Sequence, residues 1–261
     1  MRHSTVKSSQ VNLTIIIPAL REEKRIGKTL DQLAALLRKD KTLANMNVEV
    51  LVVSANSTDK THSVVLEKKS KFNNLRLLKP GAIVGKGRDV QFGMKRAKGD
   101  AVLFMDADLA TPLRHVVPFY KTHQKGADVV IATRNLHKHH DNFFRRILSN
   151  VGNALFKIAS GVWVEDSQCG FKLFSKEASK VCFSKLTIMG WGFDMEVLAI
   201  AKANKFAIVT KRINDWKAVP GGVFEVGFLM NAVKSLGELT HIFIRRMRGA
   251  YSSNTSLRKR Q

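Results

Sequence analysis

Short runs of apolar, β-branched residues recur through the first half of the chain, and segments of helical period separate them. Leu13 to Pro18, Glu49 to Val53, Leu75 to Leu78, Ala101 to Met105 and Asp128 to Ala132 are such runs. Each reads as a strand with both faces covered, because a half-exposed strand would alternate apolar and polar residues. Leu30, Leu33, Ala34 and Leu37 follow the first run at helical spacing. Ser57-Thr58-Asp59 opens a second helix with cap residues, and Val90 to Ala97 reads as a third. Strands alternating with helices predict an α/β fold, a mostly parallel sheet with helices on both faces. In such sheets ligands bind at the carboxyl ends of the strands, so the residues just past each strand carry the functional argument.

The second half is less regular. Arg145 to Ile158 reads as a helix, and Cys169 to Phe174 and Ala207 to Ile213 read as strands. Between Val226 and Arg248, Leu229, Val233, Leu236, Leu239, Phe243 and Met247 fall on one helical face. The expected organisation is a tail over 1–11, a catalytic domain over 12–225, and a basic amphipathic helix with a tail over 226–261. With 261 residues, 44% of them hydrophobic, the chain can bury one large α/β core. Two cysteines, Cys169 and Cys182, give neither a disulfide framework nor zinc spacing, and are expected to be thiols.

Lys plus Arg number 44 against 21 Asp plus Glu, a formal charge of +23, so the partner is expected to be anionic. Nucleic acid is set aside: aromatic residues make up 8% of the chain, and no RNA-binding, helix-turn-helix or zinc signature is found. No stretch supplies the roughly 20 apolar residues that a spanning helix needs. Ile147 to Val164 comes nearest but carries Lys157, and Met1 to Gln10 has no apolar core like that of a signal peptide. The expected location is cytoplasmic, peripheral on the cytoplasmic face of a membrane.

Asp106-Ala107-Asp108 directly follows an apolar strand. Paired carboxylates at this spacing are hard oxygen ligands suited to Mg²⁺ or Mn²⁺, although a solvated turn has the same composition. Gly85-Lys86-Gly87-Arg88 leads into a helix where glycines and cations favour phosphate, or else forms an ordinary charged turn. Arg145 and Ser149 share a helix face and, with Arg134, can grip a phosphate; His137, Lys138, His139 and His140 nearby make a solvated basic face the competing reading. Asp166 to Lys172 places polar groups against a glycine and an aromatic. Trp191 to Glu196 sets acids among aromatics, as a sugar contact or as a plain helix start at Asp194.

Together these pieces resemble the family 2 inverting glycosyltransferases of GT-A fold, a Rossmann-related α/β architecture. The resemblance runs from about Asn12 to Gly222 and includes Pro18-Ala19-Leu20-Arg21-Glu22-Glu23, Gly85-Lys86-Gly87 and Asp106-Ala107-Asp108. Asp166 to Phe174 (DSQCGFKLF) and Trp191 to Glu196 are most similar to the polyprenyl- and dolichyl-phosphate glucosyltransferases, then to the dolichyl-phosphate mannose synthases. The resemblance implies a metal-dependent hexosyltransferase with a nucleotide-sugar donor of UDP-glucose or GDP-mannose type and a lipid-phosphate acceptor at an anionic membrane surface. It places the donor at Pro18, Ala19, Glu22, Ser54, Asn56, Lys86 and Asp106, and the metal on Asp106 and Asp108. It places the acceptor phosphate at Arg134, Arg145, Ser149 and Lys217. Where the family has Asp-Asp-Gly-Ser-Thr-Asp, this chain has Ser54-Ala55-Asn56-Ser57-Thr58-Asp59; Ala110 stands in place of a polar metal ligand, and Gly221-Gly222-Val223 in place of Gly-Ser-Lys.

The acceptor decides the chemistry. A lipid phosphate is already ionised near neutral pH, its second pKa being about 6, and needs cations rather than a base. A sugar hydroxyl needs a carboxylate to take its proton, and then Asp194 or Asp166 is the catalytic candidate. A nucleotidyltransferase, which shares this metal logic, remains the rival reaction.

Overall fold

The computed structural model describes residues 10–134, 143–217 and 228–253, with 143–150 and 228–233 described as backbone only. Its seven strands are β1 (Leu13–Pro18), β2 (Val48–Val53), β3 (Leu75–Leu78), β4 (Ala101–Met105), β5 (Val129–Arg134), β6 (Phe171–Ser175) and β7 (Ile208–Ile213). The helices are α1 (Ile26–Lys39), α2 (Thr61–Glu67), α3 (Lys86–Met94), α4 (Val116–Gln124), α5 (Phe143–Ser160), α6 (Lys176–Lys185), α7 (Phe193–Ala203) and α8 (Phe228–Met247).

All seven strands form one sheet in the order β3-β2-β1-β4-β6-β5-β7. β3, β2, β1 and β4 are parallel, with Leu13 opposite both Val48 and Ala101. β6 alone runs against its neighbours, pairing Met105 with Phe171 and Val129 with Phe174. β5 and β7 are again parallel to each other. The expected mostly parallel sheet is therefore present, and the chain segment entering β6 returns to the edge where the other strands end.

The continuous apolar runs are explained by burial on both sides. Ile16, Val53, Phe104, Ile131 and Phe174 join one core with residues from α3, α6, α7 and α8. Ile15, Ile17, Val52, Leu103 and Met105 join the other, against Leu30 and Leu33 of α1 and Phe119 of α4. Neighbouring residues on a strand thus face opposite cores, and each fully buried aliphatic or aromatic side chain contributes about 1.5–3 kcal/mol.

Two expectations shift. The third helix starts at Lys86 and ends at Met94, so the Gly85-Lys86 step is itself the helix entrance. α2 begins at Thr61 after Lys60, and no side chain caps it from the cap position. Asp59 does this work from one residue earlier, accepting the Thr61 N–H at 3.1 Å and the Ser57 hydroxyl at 2.6 Å. Both cysteines are free and buried, and burial pushes the Cys169 thiol up to about 11.

Candidate active site

Parallel strands all end at one edge, so the sequence-predicted residues meet there. Pro18 closes β1, and Ala19 donates its N–H to Val53 O at 2.8 Å, joining the exits of β1 and β2. The next turn places Arg21 at φ 58°, a conformation that non-glycine residues rarely adopt. It brings the Glu22 N–H to Thr61 Oγ1 at 2.8 Å and the Glu22 carboxylate to Arg25 at 2.8 Å. Ser54 and Asn56 leave β2, their N–H groups bonded to Leu78 O and Gly81 O.

Asp106 leaves β4 with its N–H on Gly170 O at 3.0 Å. Gly170 is obligatory here: a Cβ on it would lie 1.9 Å from Asp106 Oδ2. Asp108 follows, with Oδ1 accepting the Ala110 N–H at 2.9 Å, and Leu109 takes φ 60° to complete the turn. Two of the three non-glycine residues at positive φ among the described residues therefore flank this edge, as strained backbone does at functional sites.

Lys86 reaches in from the first turn of α3, its Nζ 2.5 Å from Asp106 Oδ1 and 5.1 Å from the Trp191 ring centroid. Asp106 Oδ1 is itself buried, with this ammonium as its nearest charge partner. Burial works against the Lys86 charge, but Asp106 and Asp194 outweigh it and hold the ammonium above its ordinary pKa. Burial, opposed by the Ala110 N–H and reinforced by Asp106, pushes the Asp108 carboxyl up. Burial likewise raises Glu22, against Arg25 and with the charges of Asp108 and Asp106. Gly85 and Gly87 have a packing reason that the sequence did not reveal. A Cβ on Gly85 would lie 2.5 Å from Met189 O, and one on Gly87 would lie 2.6 Å from Phe193 Cβ, so the close approach they allow is to this chain's own 188–193 segment.

Beyond burial, Asp106 and Asp108 lie close enough to Glu22 to raise its carboxyl, and Asp106 does the same to Asp108, with Lys86 and Arg25 as the neighbouring cations. Among the described residues no group of three His, Cys, Asp or Glu forms a metal cage. A carboxylate pair that leaves most of a coordination shell open is the arrangement by which Mg²⁺ or Mn²⁺ is shared with substrate phosphates and water, so these residues fit such an ion.

Of the expected acceptor residues, Arg134 and Lys217 lie along the same edge. Arg134 ends β5 and grips Asp166, Nε to Oδ2 at 2.6 Å and Nη2 to Oδ1 at 2.9 Å. Its guanidinium also lies 5.3 Å from the Trp216 ring centroid. Burial opposes the Asp166 charge, but Arg134 holds that carboxyl below its ordinary range. Lys217 follows Trp216 and donates its N–H to Ala110 O at 3.1 Å, placing its exposed residue beside the Asp106–Ala110 turn. Arg145 and Ser149 are on α5, and their side chains lie outside the described residues. So do His137, Lys138, His139, His140 and the Gly221-Gly222-Val223 segment.

The two acids near α7 differ from a sugar-binding pair. Asp194 lies in the first turn of α7, buried, 2.5 Å from the Nζ of fully buried Lys172. Glu196 accepts from Thr187 N, Thr187 Oγ1, Ile188 N and Tyr251 OH at 2.6–2.9 Å, so it anchors the preceding loop and does not face a ligand. Sequence reading included Lys172 in the Asp166–Lys172 segment but missed its pairing, because a lysine inside an apolar strand has no local signal of its partner 22 residues on. It also missed His62, whose Nε2 lies 3.0 Å from Ser54 Oγ, and Asp89, which looks like an ordinary acid in a first helical turn.

The family model "Glycosyl transferase family 2" matches residues 14–183. A dolichyl-phosphate beta-glucosyltransferase of Trichomonas vaginalis is 33% identical over 240 residues, 87% of this chain and 72% of the relative. The enzyme of that name from Drosophila melanogaster is 32% identical over 232 residues, 82% of this chain and 69% of its own. Among solved structures, glucosyl-3-phosphoglycerate synthase from Mycobacterium tuberculosis with UDP superposes with a TM-score of 0.65 at 19% identity, over 89% of this chain and 80% of that one. The same protein with Mn²⁺, UDP and glucosyl-3-phosphoglycerate superposes with a TM-score of 0.58, over 94% of this chain and 82% of that one. These likenesses extend the GT-A fold to this sheet.

Proposed function

The chain belongs to glycosyl transferase family 2, and from that premise we propose that it moves glucose from a nucleotide sugar to a dolichyl-type polyprenyl phosphate at the surface of an anionic membrane. An acceptor phosphate oxygen forms a bond to the anomeric carbon, and the bond from that carbon to the nucleoside diphosphate breaks. Asp106 and Asp108 would hold Mg²⁺ or Mn²⁺, which when bound would neutralise charge on a diphosphate. Lys86 adds a fixed ammonium at the same place, kept protonated by the carboxylates around it. Pro18, Ala19, Glu22, Ser54 and Asn56 line the exits of β1 and β2, where the rest of the donor is expected to lie.

The observation that carries the phosphate-acceptor reading is the engagement of both candidate bases. Asp166 is tied to Arg134 and Asp194 to Lys172. Asp166, held low by Arg134, is a weak proton acceptor, and Asp194, although burial pushes it up, is enclosed against Lys172 away from the surface, whereas an ionised phosphate needs no base. Arg134 and Lys217 supply cations on the same edge, and the relatives' names point to dolichyl phosphate. The test is transfer of labelled glucose from UDP-glucose to dolichyl phosphate in vesicles, with GDP-mannose as the second donor. Formation of a phosphate-linked glucolipid is expected. Pyrophosphate release from a nucleoside triphosphate and a sugar phosphate, with no glucolipid, points to the nucleotidyl reaction instead.

The membrane part rests on one surface. α5 packs against α8. Leu239 and Ile242 of α8 enter the core, while Leu236, Phe243, Ile244 and Met247 stay exposed, as do Leu155, Ile158 and, just past α5, Trp163 at 80% exposure. Arg246 and Lys157 lie beside exposed rings, within 5.9 Å of Phe243 and 5.8 Å of Trp163. Apolar residues ringed by cations suit insertion into an anionic interface. No described helix is long and apolar enough to cross a membrane. The protein is expected to pellet with phosphatidylglycerol vesicles at low salt and to release above about 0.5 M salt, where screening shortens to a few ångström. Retention in the low-salt supernatant removes the membrane assignment.

A further inference from the structure

The exit of β2, Ser54-Ala55-Asn56, carries no charged side chain, yet a nucleotide lying across this edge from Asp106 would put its base there. β4 and β2 are two strand positions apart, about 10 Å, comparable to the reach of a nucleoside diphosphate. Two carboxylates border that exit, and their states differ. Asp59 is satisfied by the chain itself, accepting from Ser57 Oγ, Thr61 N and Glu23 N, and these bonds overcome its partial burial to hold it down at about 2. Asp89 is 4% exposed, accepts the Ala55 N–H, and has Oδ1 buried without a hydrogen-bond donor. Burial, opposed by Arg88 and the Ala55 bond, pushes it up to about 6.

Asp89 is bordered by the same elements that hold the β2 exit. It sits one turn after Lys86, three residues on and so on the same helix face. His62 bonds Ser54 Oγ and Ala55 O at 3.0 and 3.2 Å, so the Ser54-Ala55 step is held between α2 and α3. The 80–84 loop borders the same place. It is tied by the Asn56 N–H to Gly81 O and by Arg88 to the carbonyls of Pro80 and Ala82, and it leaves Ile83 and Val84 exposed. A buried carboxylate oxygen with no donor is costly, and an incoming N–H removes that cost.

We infer that Asp89 reads the donor's base: its carboxylate accepts the ring N–H that neighbours a carbonyl in uracil or guanine, in a cleft formed by Ser54–Asn56 and the 80–84 loop. The inference rests on the nucleotide-sugar reading above and names the residue that selects the base. Adenine and cytosine lack that N–H and are discriminated against, because they leave the carboxylate unmet.

Calorimetric titration with UDP and N3-methyl-UDP, and with GDP and N1-methyl-GDP, separates the two bases and tests the contact. For the preferred base, methylation of the ring nitrogen is expected to weaken binding to the wild type about 10- to 100-fold, the range for a hydrogen bond to a charged group. In Asp89→Ala the unmethylated nucleotide weakens by a similar factor, and methylation then costs less than about threefold on the same scale. Asp89→Asn, which keeps volume and a neutral acceptor, is expected to show an intermediate penalty, and it serves where the alanine variant is poorly folded. If Asp89 only supports Ala55, methylated and unmethylated nucleotides weaken together and the methylation penalty survives in both variants, which overturns this inference alone. Binding of neither nucleotide to the wild type overturns the donor reading and this inference with it.

Discussion

Asp106→Asn and Asp108→Asn are each expected to lower glucosyl transfer by about 10²–10³-fold or more, the scale on which removing one element of transition-state charge stabilisation acts. The two variants should part company in stability. Asp106 is the closest counter-charge to Lys86, at 2.5 Å. Asparagine at 106 removes that attraction from a largely buried ammonium, and the melting temperature should fall. Asp108 has no salt-bridge partner among the described residues, and burial together with the charge of Asp106 pushes its carboxyl up. A raised carboxyl means that the ionised form is penalised by folding, and the penalty is fully present once pH exceeds the folded-state value. Asparagine at 108 relieves it, so the chelator-treated variant should melt no lower than the wild type at pH 7. The measurements are transfer rates with saturating donor, and thermal unfolding in chelator. Near-wild-type transfer by either variant removes the metal-assisted mechanism, and a lower melting point for Asp108→Asn removes the charge-crowding account.

Legibility in the sequence followed the range of each interaction. β1, β2, β3, β4 and β5 were readable because burial on both faces leaves a local mark, a continuous β-branched run with a turn after it. The Asp106-Ala107-Asp108 turn was readable for the same reason, since it is defined by the strand before it. The direction of β6 was not. An antiparallel strand between two parallel ones is set by register with β4 and β5, which no short window contains. The acids near α7 illustrate the limit in chemical terms. Glu196 and Asp194 stand two residues apart with the composition of a sugar site, yet one satisfies four protein donors and the other neutralises a lysine from β6. Gly170 was visible as a glycine in a resembling motif. Its physical reason, the room it leaves for the Asp106 carboxylate, appears only when β6 returns to the edge of β4.

Lys172→Met is expected to destabilise the fold by about 3–5 kcal/mol, the cost of leaving one member of a buried pair uncompensated. Lys172 is fully buried, donates to Asp194 Oδ1 at 2.5 Å and to Cys169 O at 2.7 Å, and lies 5.3 Å from the Phe104 ring centroid. Burial already pushes the Asp194 carboxyl up against the pull of Lys172 and Lys86, and without Lys172 the larger opposing charge is gone. The Lys172→Met, Asp194→Leu pair should recover most of the loss, because replacing both charges removes the desolvation of each. The single variant Asp194→Asn then separates the acceptor classes. With an ionised phosphate as acceptor, Asp194 takes no proton, so this variant loses stability and changes KM or kcat only modestly, with an unaltered pH profile. With a hydroxyl acceptor, the lost base costs about 10²–10⁴-fold in kcat and removes the acid limb of the rate profile. Unfolding curves for the pair and a kcat profile between pH 5 and 9 for Asp194→Asn are the measurements. The buried contact to Lys172 favours the first outcome, since a hydroxyl acceptor would have to reach a carboxylate enclosed in the core. Loss of kcat at unchanged stability would show that the pair opens during turnover and that the acceptor is a hydroxyl.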